Sequence, residues 1–195
     1  VPTPQRKLDA PVLMPIEGVL TISGRGTVVT GVVERGVLAC GDPVELVGLR
    51  PTIASVVTGL ETFGRTLDRA EPGDNAAVLL RGVRRDDIQR GQVLCAPATV
   101  RAYREFSARV RLLGPDEGGR RTPVSSGYAP QLHLRTADAC GVVDLGVGGR
   151  ARPGDEVEVT VRLHAALPVE VGLGFAVREG GRTVGAGRVT ALPTD

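Results

Sequence analysis

Apolar and polar residues alternate with period two along much of this chain, the spacing of strands that bury one face. Within Arg104–Leu113, Phe106, Ala108, Val110 and Leu112 share one face, and Arg109 and Arg111 the other. Val157, Val159, Val161 and Leu163 repeat the pattern. The best-marked stretch is Glu17–Gly36. There two β-branched runs, Val19–Ile22 and Thr27–Glu34, flank Ser23-Gly24-Arg25-Gly26. Such runs around a Gly-containing turn predict a β-hairpin. Gly24 and Gly26 can take the positive φ that a sharp reversal requires.

The pattern extends in both directions. Residues 1–10 are polar and Pro-containing and read as a linker. Residues 11–98 read as one β unit. Its strands are expected at Val12–Pro15, Val19–Ile22, Thr27–Glu34, Pro43–Val47, Thr52–Glu61, Ala76–Leu80 and Gln92–Cys95. Gly41-Asp42, Gly48, Pro72-Gly73 and Gly91 punctuate them. Many short strands at this spacing predict a closed antiparallel barrel. Val83–Arg90 is the one expected helical turn, with Asp86 and Asp87 near its start and Arg90 near its end. Residues 99–102 form a second linker. Residues 103–195 begin a new series, with strands at Arg104–Leu113, Leu132–Thr136, Ala139–Leu145, Glu156–Leu163, Leu173–Arg178 and Thr183–Ala191. Pro115–Arg121 is a Gly-rich loop. The expected fold is all-β, with two consecutive antiparallel β-barrels of roughly 90 residues each, a size that holds its own core.

Composition narrows the chemistry. Of 195 residues three are Phe, two Tyr and none Trp, so the cores must be aliphatic. The net charge of +2 argues against a general polyanion-binding slab, so any nucleic-acid contact should be local and shaped. Lys7 is the only lysine, a bias that suits a GC-rich genome. Cys40, Cys95 and Cys140 form no C-x-x-C pair, and His133 and His164 add no ligand spacing. Free structural thiols in a reducing cytoplasm are expected. No run approaches the ~18 apolar residues of a membrane helix, so no membrane partner is expected. The adjacent acids Asp86-Asp87 and Asp116-Glu117 read as solvated. No catalytic constellation and no phosphate loop of the form G-x-x-x-x-G-K-[ST] occurs. The chain as given therefore reads as a binding module and not an enzyme.

The words of the chain carry more than its periodicity. ISGRGTVVTGVVERG (Ile22–Gly36) resembles the opening hairpin of the second domain of translational GTPases, above all the bacterial elongation factor Tu family. LLRGVRRDDIQRGQVL (Leu79–Leu94), DEGGRRTPVSSGYAPQLHLRT (Asp116–Thr136) and REGGRTVGAGRV (Arg178–Val189) continue the resemblance in order. It covers Pro11 to about Val189. The resemblance implies domain 2 followed by the C-terminal domain. It implies a parent translational GTPase that delivers aminoacyl-tRNA to the ribosome, with GTP and Mg²⁺ in a GTP-binding domain this sequence lacks. No cofactor is implied within this chain. The implied partners are aminoacyl-tRNA, the ribosome, the GTP-binding domain and a nucleotide-exchange factor, all cytoplasmic. The first residue, Val1, falls in a family linker, which implies a piece of a longer protein. Selenocysteine-specific and initiation-type factors share the first barrel, but DEGGRRTP and REGGRTVGAG fit elongation factor Tu better.

The same resemblance implies two sites. The 3′-terminal adenosine of aminoacyl-tRNA would take an apolar slot of Ile22, Val28 and Leu79, with Glu61 accepting from the terminal ribose. Glu17, Thr30, Phe63 and Asn75 would surround the aminoacyl side. Single-stranded ends are read by stacking and edge contacts, which such residues can supply. Without the resemblance, Val28 and Leu79 would read as core and Asn75 as a turn residue. Arg90, Arg120 and Arg182 would meet tRNA phosphates, for which Arg offers a planar fork. Three positions depart from the family pattern. Gly18 and Leu20 stand where an acid and a ring are usual, and Gly64 where an Arg is usual. Arg65 is one residue away, an offset that points the other way on a strand. Ser126 and Ala129 stand at positions that usually carry cations. These departures imply a diverged copy with altered aminoacyl-end or antibiotic binding, or an interaction scaffold that has left elongation.

Overall fold

The computed structural model describes residues 7–194. Most of the expected first linker therefore lies outside the described residues. The chain divides into two compact units, one up to Arg101 and one from Ala102.

Among the described residues the first unit contains ten strands: β1 (Leu13–Pro15), β2 (Gly18–Ile22), β3 (Gly26–Val32), β4 (Leu38–Ala39), β5 (Pro43–Gly48), β6 (Arg50–Thr62), β7 (Arg65–Thr66), β8 (Arg69–Ala70), β9 (Asn75–Leu80) and β10 (Val93–Cys95). The main sheet runs β1-β10-β5-β6-β9-β3-β2, entirely antiparallel, with β7 beside β6. The expected hairpin is β2–β3, in which Leu20 faces Val28 and Ile22 faces Gly26. Gly24 and Gly26 have φ of 74° and 114°, the region that favours glycine. Alternation sorts the two faces. Val29, Val33, Leu46, Leu60, Val78 and Leu80 point into the core, leaving Val28, Thr30, Ala77 and Leu79 on the outer face.

The first sheet curls into a half-barrel, whereas the sequence suggested full closure. One bridge ties the β1 end to the segment that follows β3. The Leu13 amide donates to the Arg35 carbonyl at 3.0 Å, and the Glu34 amide to the Leu13 carbonyl at 2.8 Å. Gly31 makes this approach possible. A Cβ there would lie 2.1 Å from the Pro15 carbonyl oxygen. The helical turn expected over Val83–Arg90 shrinks to a three-residue 3₁₀ turn, Arg85–Asp87. Val83 and Ile88 on either side are buried, and their packing fixes the loop in place of a longer helix.

The second unit holds β11 (Ala102–Leu112), β12 (Val124–Ser125), β13 (Gln131–Leu134), β14 (Ala137–Asp144), β15 (Arg150–Ala151), β16 (Glu156–Pro168), β17 (Gly174–Glu179) and β18 (Arg182–Ala191). Six of them close a barrel in the order β11-β16-β14-β13-β17-β18. Closure leaves no open sheet edge. Phe106, Ala108, Val110 and Leu112 are all buried, as their period-two spacing predicts. Phe106 and Phe175 meet edge to face, with centroids 5.7 Å apart and planes at 73°. Gly187 gives the Phe175 ring its space, since a Cβ there would fall 2.3 Å from Cζ.

Candidate nucleic-acid interface

Strand register builds a cleft on the outer face of the first unit. Leu20 faces Val28, Val28 faces Leu79, and Leu79 faces Gly59, so four strands contribute one row. In the neighbouring row Gly18 faces Thr30, Thr30 faces Ala77, and Ala77 faces Glu61. Gly59 has no side chain to fill its place in the first row. The resulting cleft is about 160 Å³, with Leu20, Ile22, Val28 and Leu79 as apolar walls and Arg25 and Glu61 as charged ones. That is below the ~300–1,000 Å³ of pockets for drug-sized ligands.

The structure thus brings together Ile22, Val28, Leu79 and Glu61. Val28 is buried, 4% exposed, yet its side chain belongs to the cleft and not to the core behind it. Arg25, Gly59 and Ala77 are cleft residues that the sequence reading did not single out. Arg25 sits in the β2–β3 turn and pairs with Glu61 at 3.0 Å. The Gly-Arg-Gly turn was a visible signal for an exposed cation, but its partner lies on another strand.

Glu17, Thr30, Phe63 and Asn75 do not line the cleft. Thr30 and Asn75 lie farther along the same face, whereas Glu17 precedes β2 and Phe63 sits in the β6–β7 turn. The Glu17 amide donates to the Thr30 carbonyl at 2.8 Å. Thr30 is half-buried beside Gly18, and its Oγ1 lies 2.8 Å from where a Gly18 Cβ would stand. Asn75 opens β9, exposed, and its carbonyl accepts from Thr62 Oγ1 at 2.7 Å. Phe63 is 90% exposed at the β6–β7 turn, with φ of 46°, followed by Gly64 at 77°. An exposed ring held in a left-handed conformation is costly and marks a feature worth a functional reading.

Arg90 is exposed and lies beside the β1–β2 connection: the next amide, Gly91, donates to the Ile16 carbonyl at 3.2 Å. In the second unit, Arg120 is turned into its own loop. Its Nε donates to the Thr122 carbonyl at 3.1 Å, its Nη2 to Thr122 Oγ1 at 3.0 Å, and its Nη1 to Glu179. The guanidinium also lies 5.2 Å from the centroid of the Tyr128 ring. Burial, then Glu179, pushes the Tyr128 phenol up. Arg182, across the ladder from Glu179, is exposed. Of the two second-unit arginines, Arg182 presents its fork outward and Arg120 does not.

Among the described residues no group of His, Cys, Asp and Glu could hold a metal ion. None of their helices is long and apolar enough to cross a membrane. Cys40, Cys95 and Cys140 are free thiols.

Comparison with known proteins places this architecture. The family described as Elongation factor Tu domain 2 matches residues 26–95, and that described as Elongation factor Tu C-terminal domain matches residues 99–193. Elongation factor Tu 2 of Streptomyces avermitilis is 58% identical over 192 residues, covering 98% of this chain and 49% of that protein. The chain thus spans about half the length of this curated relative. With the half-barrel, the closed barrel and both family matches in the same order, the chain belongs to the elongation factor Tu family, as a pairing of that family's second domain with its C-terminal domain.

Proposed function

We propose that the chain supplies the tRNA-binding barrels of a cytoplasmic, GTP-dependent factor that delivers aminoacyl-tRNA to the ribosome. The observation that carries this reading is the cleft: an apolar slot with a carboxylate at its rim. The terminal adenine enters between Ile22, Val28 and Leu79, with Leu20 at the rim toward the aminoacyl side. Glu61 accepts from the ribose hydroxyl once Arg25 shares or releases it. Thr30 and Asn75, farther along that face, with Glu17 ahead of β2 and Phe63 in the β6–β7 turn, surround the esterified amino acid in this reading. Arg90 and Arg182 offer forks to phosphate oxygens. GTP and Mg²⁺ belong to a GTP-binding domain outside this sequence, and that domain's hydrolysis resets the complex.

The test uses the longer protein that contains this chain together with its GTP-binding domain. With GTP it should protect aminoacyl-tRNA from spontaneous deacylation. Tight GTP binding without protection would overturn the reading.

A second reading, a paralogue with altered aminoacyl-end recognition, is favoured by one observation. Gly18, Leu20 and Gly64 leave the aminoacyl side with neither a carboxylate at 18, nor a ring at 20, nor a cation at 64. Leu20 is 55% exposed, so its apolar surface faces the ligand side. A charge-assisted contact is worth ~1.5–3 kcal/mol, so loss of the carboxylate and of the cation each costs about a decade or more of affinity. Titration of charged tRNA against the S. avermitilis relative measures the difference.

A further inference from the structure

The cleft on the first unit carries one charge of each sign. Among the described residues that line it, Arg25 is the only base and Glu61 the only acid. The turn sets Arg25 in place. Its amide donates to the Ile22 carbonyl at 3.0 Å, and Gly24 and Gly26 on either side take positive φ. The side chain is more than half exposed, and its Nη2 meets Glu61 Oε1 at 3.0 Å. A guanidinium has five N–H donors, so this contact leaves most of the fork open to a second acceptor. Arg65, on β7, cannot stand in for it. Arg65 faces Thr62 on the β6–β7 ladder, whereas Glu61 faces Thr66. Adjacent places on a strand point to opposite sides of a sheet, so Arg65 and Glu61 lie on different sides.

We infer, resting on the reading of this cleft as the seat of an RNA 3′ end, that Arg25 binds the phosphate on the 5′ oxygen of the terminal adenosine. The cleft then reads a nucleotide and not a nucleoside. The sugar that presents a hydroxyl to Glu61 also carries the 5′ oxygen. A phosphate there falls within a side chain's length of that carboxylate, where the Arg25 fork already stands. Binding is an exchange of partners. The exposed ion pair of the empty cleft is weak, so little opposes its opening. Glu61, an acceptor only, takes the ribose hydroxyl, and Arg25, a donor only, takes two phosphate oxygens, which its planar fork matches. Adenosine without the phosphate offers Arg25 nothing and must compete with it for Glu61.

The test is NMR titration of the isotope-labelled 195-residue chain with adenosine, AMP and the dinucleotide cytidylyl-adenosine. AMP and the dinucleotide should shift the amides around Val28 and Leu79 and bind at least about fivefold more tightly than adenosine. Arg25→Ala should weaken both phosphorylated ligands until the preference is less than about twofold, and should leave adenosine no weaker. Arg25→Lys should keep part of the preference, because it keeps the charge and loses the fork. Arg65→Ala, an equal charge change at an exposed position outside the cleft, should keep all of it. Circular dichroism melting verifies that each variant is folded. Equal affinity for adenosine and AMP, an undiminished preference in Arg25→Ala, or an equal loss in Arg65→Ala would overturn the proposal and leave the cleft as the seat of the base. No shift around the cleft with any of these ligands, or binding of AMP without the dinucleotide, would overturn the RNA-end reading and the proposal with it.

Discussion

Arg25 Nη2 stands 3.0 Å from Glu61 Oε1, and both residues line the cleft on the first unit. Arg25 is more than half exposed and Glu61 about a third, so water competes with the pair. Such pairs are worth about 0–1 kcal/mol. The contact orients the carboxylate without locking it, which leaves Glu61 available to a ligand hydroxyl.

Two substitutions separate these roles. Arg25→Ala should change unfolding free energy by less than about 1 kcal/mol in urea titrations. Glu61→Ala should leave stability equally unaffected. In the longer protein with GTP it should nonetheless weaken aminoacyl-tRNA protection by about tenfold or more. Undiminished protection in Glu61→Ala would remove the carboxylate from the site.

Gly59→Val tests the cleft without touching a charge. Gly59 is not among the positive-φ glycines, and a Cβ there would contact Leu79 Cβ at 3.6 Å, an ordinary distance. Valine also suits a strand. The protein should melt within a few degrees of the parent while the slot for the base is filled. Charged-tRNA affinity should drop sharply, and a normal titration curve would show that the ligand binds elsewhere.

Leu20→Phe restores a ring at the cleft wall without disturbing the core, because Leu20 is 55% exposed. If the aminoacyl side has been weakened by divergence, this change should raise charged-tRNA affinity. Gly18→Asp should gain less on its own. Its Cβ would lie 2.8 Å from Thr30 Oγ1, so that side chain must first rotate. Competition binding with the two variants and their double mutant measures both effects.

Gly187→Ala addresses the second barrel. The new methyl would fall 2.3 Å from Phe175 Cζ, so the Phe106–Phe175 contact must break or the strands must part. Overpacking of this kind costs about 1–3 kcal/mol. Thermal denaturation should show a lower midpoint, with the β-type circular dichroism of the folded state retained.

Acid should weaken the second unit from the surface inward. The Gly146 amide and the Ser126 hydroxyl hold the Asp144 carboxyl below its ordinary value, and the Gly114 amide and Arg111 do the same for Glu117. A carboxylate with a depressed folded pKa contributes stability that is complete above its unfolded value. That contribution disappears as pH falls through the folded one. The melting midpoint should hold down to about pH 5 and decline below about pH 4. Asp144→Asn should flatten part of that decline.

Period-two alternation was enough to place the long strands, because each buries one face and exposes the other. Phe106–Leu112 and Val157–Leu163 show this directly. The motif words were enough to name the family and to single out Ile22, Val28, Leu79 and Glu61, which the structure brings into one cleft. Three things were decided only by tertiary packing. The two-residue pairs β4–β8 and β12–β15 have no period to read, and long-range docking creates them. The short 3₁₀ turn at Arg85–Asp87 replaced a longer one because Val83 and Ile88 are drawn into the core. The cleft itself depends on register between β2, β3, β9 and β6. Only that register sets Gly59 beside Leu79 as an empty place in the row and brings Arg25, from a turn, to a carboxylate 36 residues away. Local spacing fixes which face a side chain occupies, but strand order and register fix its neighbours, and a binding site is made of neighbours.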